Sequence, residues 1–244
     1  MPGRYKIVST MTLFVASVMA CAALAQQRAQ APTAGQPAAQ QEGRGRGARV
    51  TRSPLFFREV WKQTPAGGEH PVDVAQALSN ANLELKLLGP TGKEILMTGA
   101  ETDENNPIHL WTGMCTTPCA FTLRDKTNFA DLSGLARIKM VTKTSGFHKV
   151  SPIVKLADGT MLIADRFEGS TADWLESDLA VSEMRWRKLD PERVVTTGDW
   201  VVNPNLSRVD EIGFADLMPG SGHGQGGWSD VARIEVYAKP VKRE

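Results

Sequence analysis

From Ser53 onward, apolar residues recur mostly at every second position, the period of a strand with one buried face. The clearest case is Leu135–Lys143, where Ala136, Ile138 and Met140 fall on one side and Arg137, Lys139 and Lys143 on the other. Leu83–Leu88 is β-compatible, and so is Ala120–Leu123, which runs into Arg124-Asp125-Lys126. Ser151–Leu156 and Thr160–Asp165 flank Ala157-Asp158-Gly159, and Asp-Gly between two such runs predicts a hairpin. Trp174–Leu179, Met184–Leu189, Val194–Thr197, Val209–Phe214 and Val231–Ala238 complete about ten strands. Only Pro71–Asn80 reads as a helix, with Pro71 suited to its first turn. Many short strands, scant helix, polar turns and no long repeat predict an all-β domain over residues 53–244, a two-sheet β-sandwich or jelly roll.

Upstream the pattern changes twice. Met1–Lys6 is short and basic, and Ile7–Ala20 is apolar apart from Ser9, Thr10, Thr12 and Ser17. Ala23-Leu24-Ala25 then supplies small residues at the −3 and −1 positions, so residues 1–25 have the layout of a secretory signal peptide. The run is short of the roughly 20 residues that a membrane span needs. Val18-Met19-Ala20-Cys21 loosely resembles a lipoprotein-processing site, though Met19 fits that pattern poorly. Gln26–Arg52 is built of Gln, Ala, Gly, Pro and Arg, with Val50 as its one large apolar residue. It cannot bury enough surface to offset ordering and reads as a disordered tether. Its Gly43-Arg-Gly-Arg-Gly-Ala-Arg49 segment resembles RNA-binding Arg-Gly sequences; in an exported chain it is a solvated spacer with an attraction to anionic envelope polymers. The expected location is periplasmic or secreted.

Charge follows the same division. The 244 residues carry 28 Lys and Arg against 27 Asp and Glu, a net +1. That near-neutral total argues against a dedicated nucleic-acid binder. It is the sum of +2 over residues 1–25, +4 over 26–52 and −5 over the rest. At 41% hydrophobic the chain has the material for a real core. Once the signal leaves with Cys21, two cysteines remain, in Met114-Cys-Thr-Thr-Pro-Cys119. In an oxidising compartment a close pair beside a proline is expected to form a local disulfide, Cys115–Cys119. His109 lies upstream, but the spacing lacks a structural-zinc pattern, and no metal site is assigned.

Two segments carry a family resemblance. Asp131-Leu-Ser-Gly-Leu-Ala-Arg-Ile-Lys-Met-Val-Thr-Lys143, followed by the Ser145-Gly146 turn, resembles a recurring strand of galactose-binding-like jelly rolls. Leu206-Ser-Arg-Val-Asp-Glu-Ile-Gly-Phe214, a Gly-rich loop and Trp228-Ser-Asp-Val-Ala-Arg-Ile-Glu-Val-Tyr237 resemble the closing pair of that fold. The ending is similar to that of the complex I intermediate-associated protein domain and of many carbohydrate-binding modules. The resemblance covers roughly Phe121–Tyr237 and is fold-grade. It implies a β-sandwich that often binds sugars and sometimes holds a structural Ca²⁺. The acidic N-terminal calcium loop of several such modules has no clear counterpart here, and no catalytic residue is carried over.

Candidate ligand-binding residues fall into three groups. Trp111, Trp174, Trp186, Trp200 and Trp228 all lie in or beside strands. An exposed indole stacks on the C–H face of a pyranose, while a buried one is ordinary core. Trp186, between Arg185 and Arg187, is read as core; Trp174, near Glu176, and Trp228, after the Gly-rich loop, are the platform candidates. Pro219-Gly-Ser-Gly-His-Gly-Gln-Gly-Gly-Trp228 is either a plain connection or a rim loop that presents His223. A strand follows it, which excludes a dinucleotide loop. Arg124, Asp125, Lys143, His148, Lys155, Asp165 and Glu176 form a polar set: if Arg124 and Lys155 share the face opposite the core it is either a charged groove or a solvated outer sheet face with scattered ion pairs. The expected function is non-catalytic binding of a carbohydrate or glycoconjugate. The alternative is a carbohydrate-active enzyme using a pair from Asp165, Glu168, Asp173, Glu176 and Asp178, with His148 or His223 as acid or base. A third reading is an assembly factor with a protein-binding sheet face.

Overall fold

A computed structural model describes residues 52–63, 68–169, 171 and 173–243. The expected signal peptide, and all of the tether but Arg52, lie outside the described residues. The described chain forms seventeen strands: β1 Leu55–Glu59, β2 His70–Pro71, β3 Leu83–Leu88, β4 Leu96–Thr98, β5 His109–Trp111, β6 Cys119–Asp125, β7 Asn128–Asp131, β8 Arg137–Thr144, β9 Lys149–Leu156, β10 Met161–Ala164, β11 Glu168–Gly169, β12 Leu175–Ala180, β13 Trp186–Asp190, β14 Val195–Val201, β15 Val209–Asp216, β16 Ser229–Tyr237 and β17 Lys239–Lys242. All pairings are antiparallel. A seven-stranded sheet runs β12-β8-β16-β5-β4-β2, with β1 added on β16. A ten-stranded sheet runs β14-β13-β10-β9-β15-β6-β3, with β7, β11 and β17 attached. The protein is the two-sheet sandwich that the strand pattern and the family resemblance led us to expect.

The core follows from the alternation. Ala136, Ile138 and Met140 are buried, while Arg137, Lys139 and Lys143 are partly exposed. Against them pack Val231, Ile234 and Val236 of the same sheet, and Phe121, Leu123, Val154, Leu162, Ile212 and Phe214 of the facing one. Trp186, 2% exposed, joins this cluster, and so does Trp61, whose indole N–H donates to Val231 O at 2.7 Å. Residues alternating with these point to the outer face of the ten-stranded sheet and form a second, smaller cluster: Ala120, Ile153, Met161, Ile163, Leu189, Val194 and Ala215. The β13–β14 turn folds over it. Gly89 N donates to Pro191 O, and a Cβ on Gly89 would lie 2.9 Å from Val194 Cγ2 and 2.6 Å from Pro118 O, so glycine is required there.

Two expectations are corrected. Pro71–Asn80 is not a helix: Pro71 pairs with Leu96 in β2–β4, and a single turn follows at residues 74–76. Asp73 accepts from Ala75, Gln76 and Ala77, but the next N–H groups leave the helical path. Ser79 N and Asn80 N donate to the buried carboxylate of Glu59, and local capture by a side chain ends helix propagation. Cys115 and Cys119 are not a disulfide but two buried free thiols. The thiols hydrogen-bond each other, and that bond together with burial pushes the Cys119 thiol far above its ordinary range. A protonated, buried thiol is a poor nucleophile for exchange. The turn is pinned instead by Thr91, whose hydroxyl meets Thr117 N at 3.2 Å and Thr117 Oγ1 at 2.9 Å.

Because Trp186 is fully enclosed, Trp186→Ala is expected to cost about 3–5 kcal/mol of unfolding free energy in chemical denaturation. A cost under about 1 kcal/mol would show that its site is not part of the cooperative core.

Candidate functional site

With Trp186 turned inward, Arg185 and Arg187 face outward, where the ten-stranded sheet carries a groove of about 650 Å³. Its floor follows the strand register. Ile163, Arg187 and Trp200 are successive cross-strand partners on β10, β13 and β14, and Ile163 also pairs with the buried Ile153 of β9. One step along, Asp165 N donates to Arg185 O at 2.9 Å, while Arg185 returns its N–H and Nε–H to the Asp165 carboxylate, both at 2.8 Å. Burial opposes ionisation of Asp165, but the bonds and charge of Arg185 outweigh it and hold the carboxyl below the usual range.

Aromatic rings border this floor. Trp200 remains 43% exposed, with the guanidinium carbons of Arg185 and Arg187 at 4.6 and 5.5 Å from its ring centroid. At the β9 end Phe147 is 83% and Phe167 46% exposed, and Lys149 Nζ lies 4.1 Å from the Phe167 centroid. Arg187 Nη2 donates to Gly198 O at 2.7 Å, while its buried Nε has no hydrogen-bond partner. An open indole, planar cations and a carboxylate on one rigid sheet are the elements of a polar-ligand site.

The residues singled out in the sequence are distributed over three places. Asp165 lines the groove. His148, 2% exposed, lies behind it and shares a hydrogen bond of 2.6 Å between Nδ1 and Asp216 Oδ2; Asp216 also lines the groove. The same Asp216 oxygen accepts from Ser229 Oγ at 2.6 Å, so Asp216 of β15 joins β16 to the turn before β9 that carries His148. Arg124 and Lys155 share the outer face but are held in ion pairs, Arg124 with Glu84 and Asp210, Lys155 with Glu211. Glu176 is on the other sheet, paired with Arg233 and 3.9 Å from Lys139.

Trp174 and Trp228 are brought together by Lys143, whose Nζ lies 6.0 and 5.9 Å from their ring centroids. Trp174 donates its indole N–H to Asn105 O. The Gly-rich loop is closely packed. A Cβ on Gly220 would meet Gly113 O at 2.1 Å, and one on Gly227, at φ 134°, would meet the His148 ring at 2.5 Å. His223 sits on the exposed side, 4.9 Å from the Trp111 ring centroid and 3.2 Å from Glu69.

Beneath Trp174 is a buried acid–imidazole pair. His109 Nδ1 lies 2.7 Å from Pro107 O, which can only accept, so the proton is on Nδ1 and Nε2 presents its lone pair. Nε2 is 3.5 Å from Asp230 Oδ1, an oxygen with no hydrogen-bond partner. Burial pushes the Asp230 carboxyl up to about 8, against the pull of Lys143. Burial also lowers His109 to about 4, against its bond to Pro107 O. Two neutral groups holding one proton result. Among the described residues no group of three or more His, Cys, Asp or Glu side chains is placed to hold a metal ion.

Arg185, Arg187, Lys149 and Phe167 were not among the expected site residues, and Trp200, though one of the five tryptophans considered, was not among the platform candidates. The signal was present in Arg185-Trp-Arg187: once the indole is core, both guanidinium groups must share the opposite face. Their proximity to Trp200 is a matter of strand order, which the alternation does not contain.

No protein-family model and no curated protein matches the chain. The fold has solved likenesses. One is the family 11 carbohydrate-binding module of the cellulosomal cellulase Lic26A-Cel5E of Clostridium thermocellum, at 14% identity and a TM-score of 0.39 over 73% of this chain and 99% of that one. Another is TmCBM61 in complex with β-1,4-galactotriose, at 12% identity and 0.34 over 65% and 90%. A third is the carbohydrate recognition domain of Emp47p, at 8% identity and 0.32 over 70% and 94%. These are likenesses of fold and bring no site residue with them.

The proton pair has a measurable consequence. Between about pH 4 and 6.5 the folded pair holds one proton on Asp230 and the unfolded chain one on His109, so the two slopes cancel. Between about 6.5 and 8 only the folded state holds the proton, and stability falls as pH rises. Asp230→Asn should remove up to about 2 kcal/mol of that decline in pH-dependent denaturation. Parallel curves for variant and parent would refute the assignment.

Proposed function

We propose that this chain is an exported, non-catalytic carbohydrate- or glycoconjugate-binding sandwich whose ligand lies across the Trp200 groove. One observation carries the reading: Trp200, open to solvent on a rigid strand, stands beside Arg185, Arg187 and Asp165 in a groove of ligand size. The indole offers an apolar face for the C–H side of a pyranose, and the polar side chains offer donors and an acceptor for its hydroxyls. Strand-borne groups hold their spacing in the absence of ligand, which limits the ordering cost of binding.

The enzyme alternative has less support. Glycoside hydrolysis uses two carboxyl groups, one kept protonated to act as acid. The groove's carboxylates are Asp165, whose pKa is lowered beside Arg185, and Asp216, buried against His148 and Ser229. His148 is enclosed, and Glu176 stands on the other sheet. In the Trp174–Trp228 pair the Trp174 indole N–H is already committed to Asn105 O, whereas a neighbouring cation is common to these rings and Trp200. Export rests on the signal-like layout of residues 1–25.

Glycan-array screening followed by calorimetry tests this reading. Trp200→Ala is expected to weaken the array-positive oligosaccharide by about 2 kcal/mol, near 30-fold, as for a central aromatic anchor. Trp174→Ala should change it less than about twofold. Unaltered binding by Trp200→Ala would move the site elsewhere; sugar release from the same oligosaccharide would replace the non-catalytic reading.

A further inference from the structure

The ionic groups along the outer face of the ten-stranded sheet are not paired evenly. Away from the groove four cations are held in ion pairs. Lys86 and Lys155 share Glu211 at 2.5 and 3.0 Å; Arg124 holds Glu84 and Asp210 at 3.1 and 3.0 Å, and Arg243 also pairs with Asp210. Inside the groove the cations are Lys149, Arg185 and Arg187, and the carboxylates are Asp165 and Asp216. Asp165 is committed to Arg185. Asp216 is turned inward: Oδ2 contacts His148, Ser229 and Thr112, and Oδ1 accepts from Met218 N. Lys149 and Arg187 are left, and no carboxylate of the described residues lies within ion-pairing distance of either. Lys149 lies over Phe167, and Arg187 spends one N–H on a neutral carbonyl and leaves its buried Nε unused. These two cations without carboxylate partners stand on a domain that is −5 overall.

We infer that the ligand of this groove is an acidic glycan, whose sugar units carry carboxylate or sulfate ester groups that pair with Arg187 and Lys149. The inference rests on the carbohydrate reading above and adds the class of sugar. A guanidinium with no carboxylate partner can form two parallel N–H···O bonds with a carboxylate or sulfate, an opposite charge and a fork geometry that a single hydroxyl does not offer. Lys149 and Arg187 lie on β9 and β13, with β10 between them, and the aromatic rings Phe167 and Trp200 stand beside them. Charge and stacking surface are thus offered together at both ends of the groove, as a polymer with alternating C–H faces and acid groups requires.

Calorimetry on the intact sandwich with its tether compares oligogalacturonate with its fully methyl-esterified form, and a sulfated galactan oligomer with its desulfated form. At least one acidic probe should bind tenfold or more tightly than its neutral partner; which pair shows the gap tells carboxylate from sulfate. The gap should shrink as salt rises from about 0.05 to 0.5 M, since the groove is open to solvent. It should close in the Lys149→Gln/Arg187→Gln double variant and persist in Arg187→Lys, with thermal melts confirming that each variant is folded. Equal binding of both members of each pair, lost in Trp200→Ala, would overturn the acidic inference and leave the carbohydrate reading standing. Poly-glutamate binding as tightly as the acidic sugar, or no glycan binding at all, would overturn both.

Discussion

Burial of the Trp186 indole between the two sheets is the interaction on which the functional face depends. Side chains of a strand alternate, so an inward Trp186 obliges Arg185 and Arg187 to point outward. Antiparallel pairing with β14 then sets Trp200 directly opposite Arg187, and pairing with β10 sets Ile163 on its other side. A one-residue slip of β13 would bury two guanidinium groups and expose the indole, which is costly enough to keep the register unique. Core packing thereby sets the spacing of the groove.

The same economy appears at the loops. The Gly-rich connection before β16 is glycine-dense because it lies against other backbone, at Gly113 and beside the His148 ring. His148 and Asp216, which look like reactive chemistry in one dimension, form a buried link among β9's leading turn, β15 and β16. Cys115 and Cys119 likewise serve as small buried groups, and Thr91 holds the turn between them. Polar residues enclosed in these networks are satisfied by one another and stabilise loop positions, while Lys149 and Arg187 on the groove have no carboxylate partner.

Much of the fold was legible along the chain. The hairpin at Asp158-Gly159, the alternation of Leu135–Lys143 and the closing pair around Val209–Phe214 and Val231–Ala238 all reappear as strands. Short strands such as His70–Pro71, Glu168–Gly169 and Leu96–Thr98 did not announce themselves, because two or three residues hold no period; they exist through their neighbours' unpaired edges. The false helix at Pro71–Asn80 had suitable local composition, but Glu59, twenty positions away, took its amide protons.

Sequence alone was enough to determine the class of fold, because period-two alternation and turn chemistry are local properties that one strand carries by itself. It also determined that Trp186 and its arginines occupy opposite faces of a strand, and that a basic segment precedes an acidic one. Only the tertiary structure decided which side chains meet: Arg187 with Trp200, Lys149 with Phe167, Lys143 with both Trp174 and Trp228. Those meetings depend on the order of strands within each sheet and on which charges find partners. Both are set by long-range packing, which leaves no periodic trace along the chain.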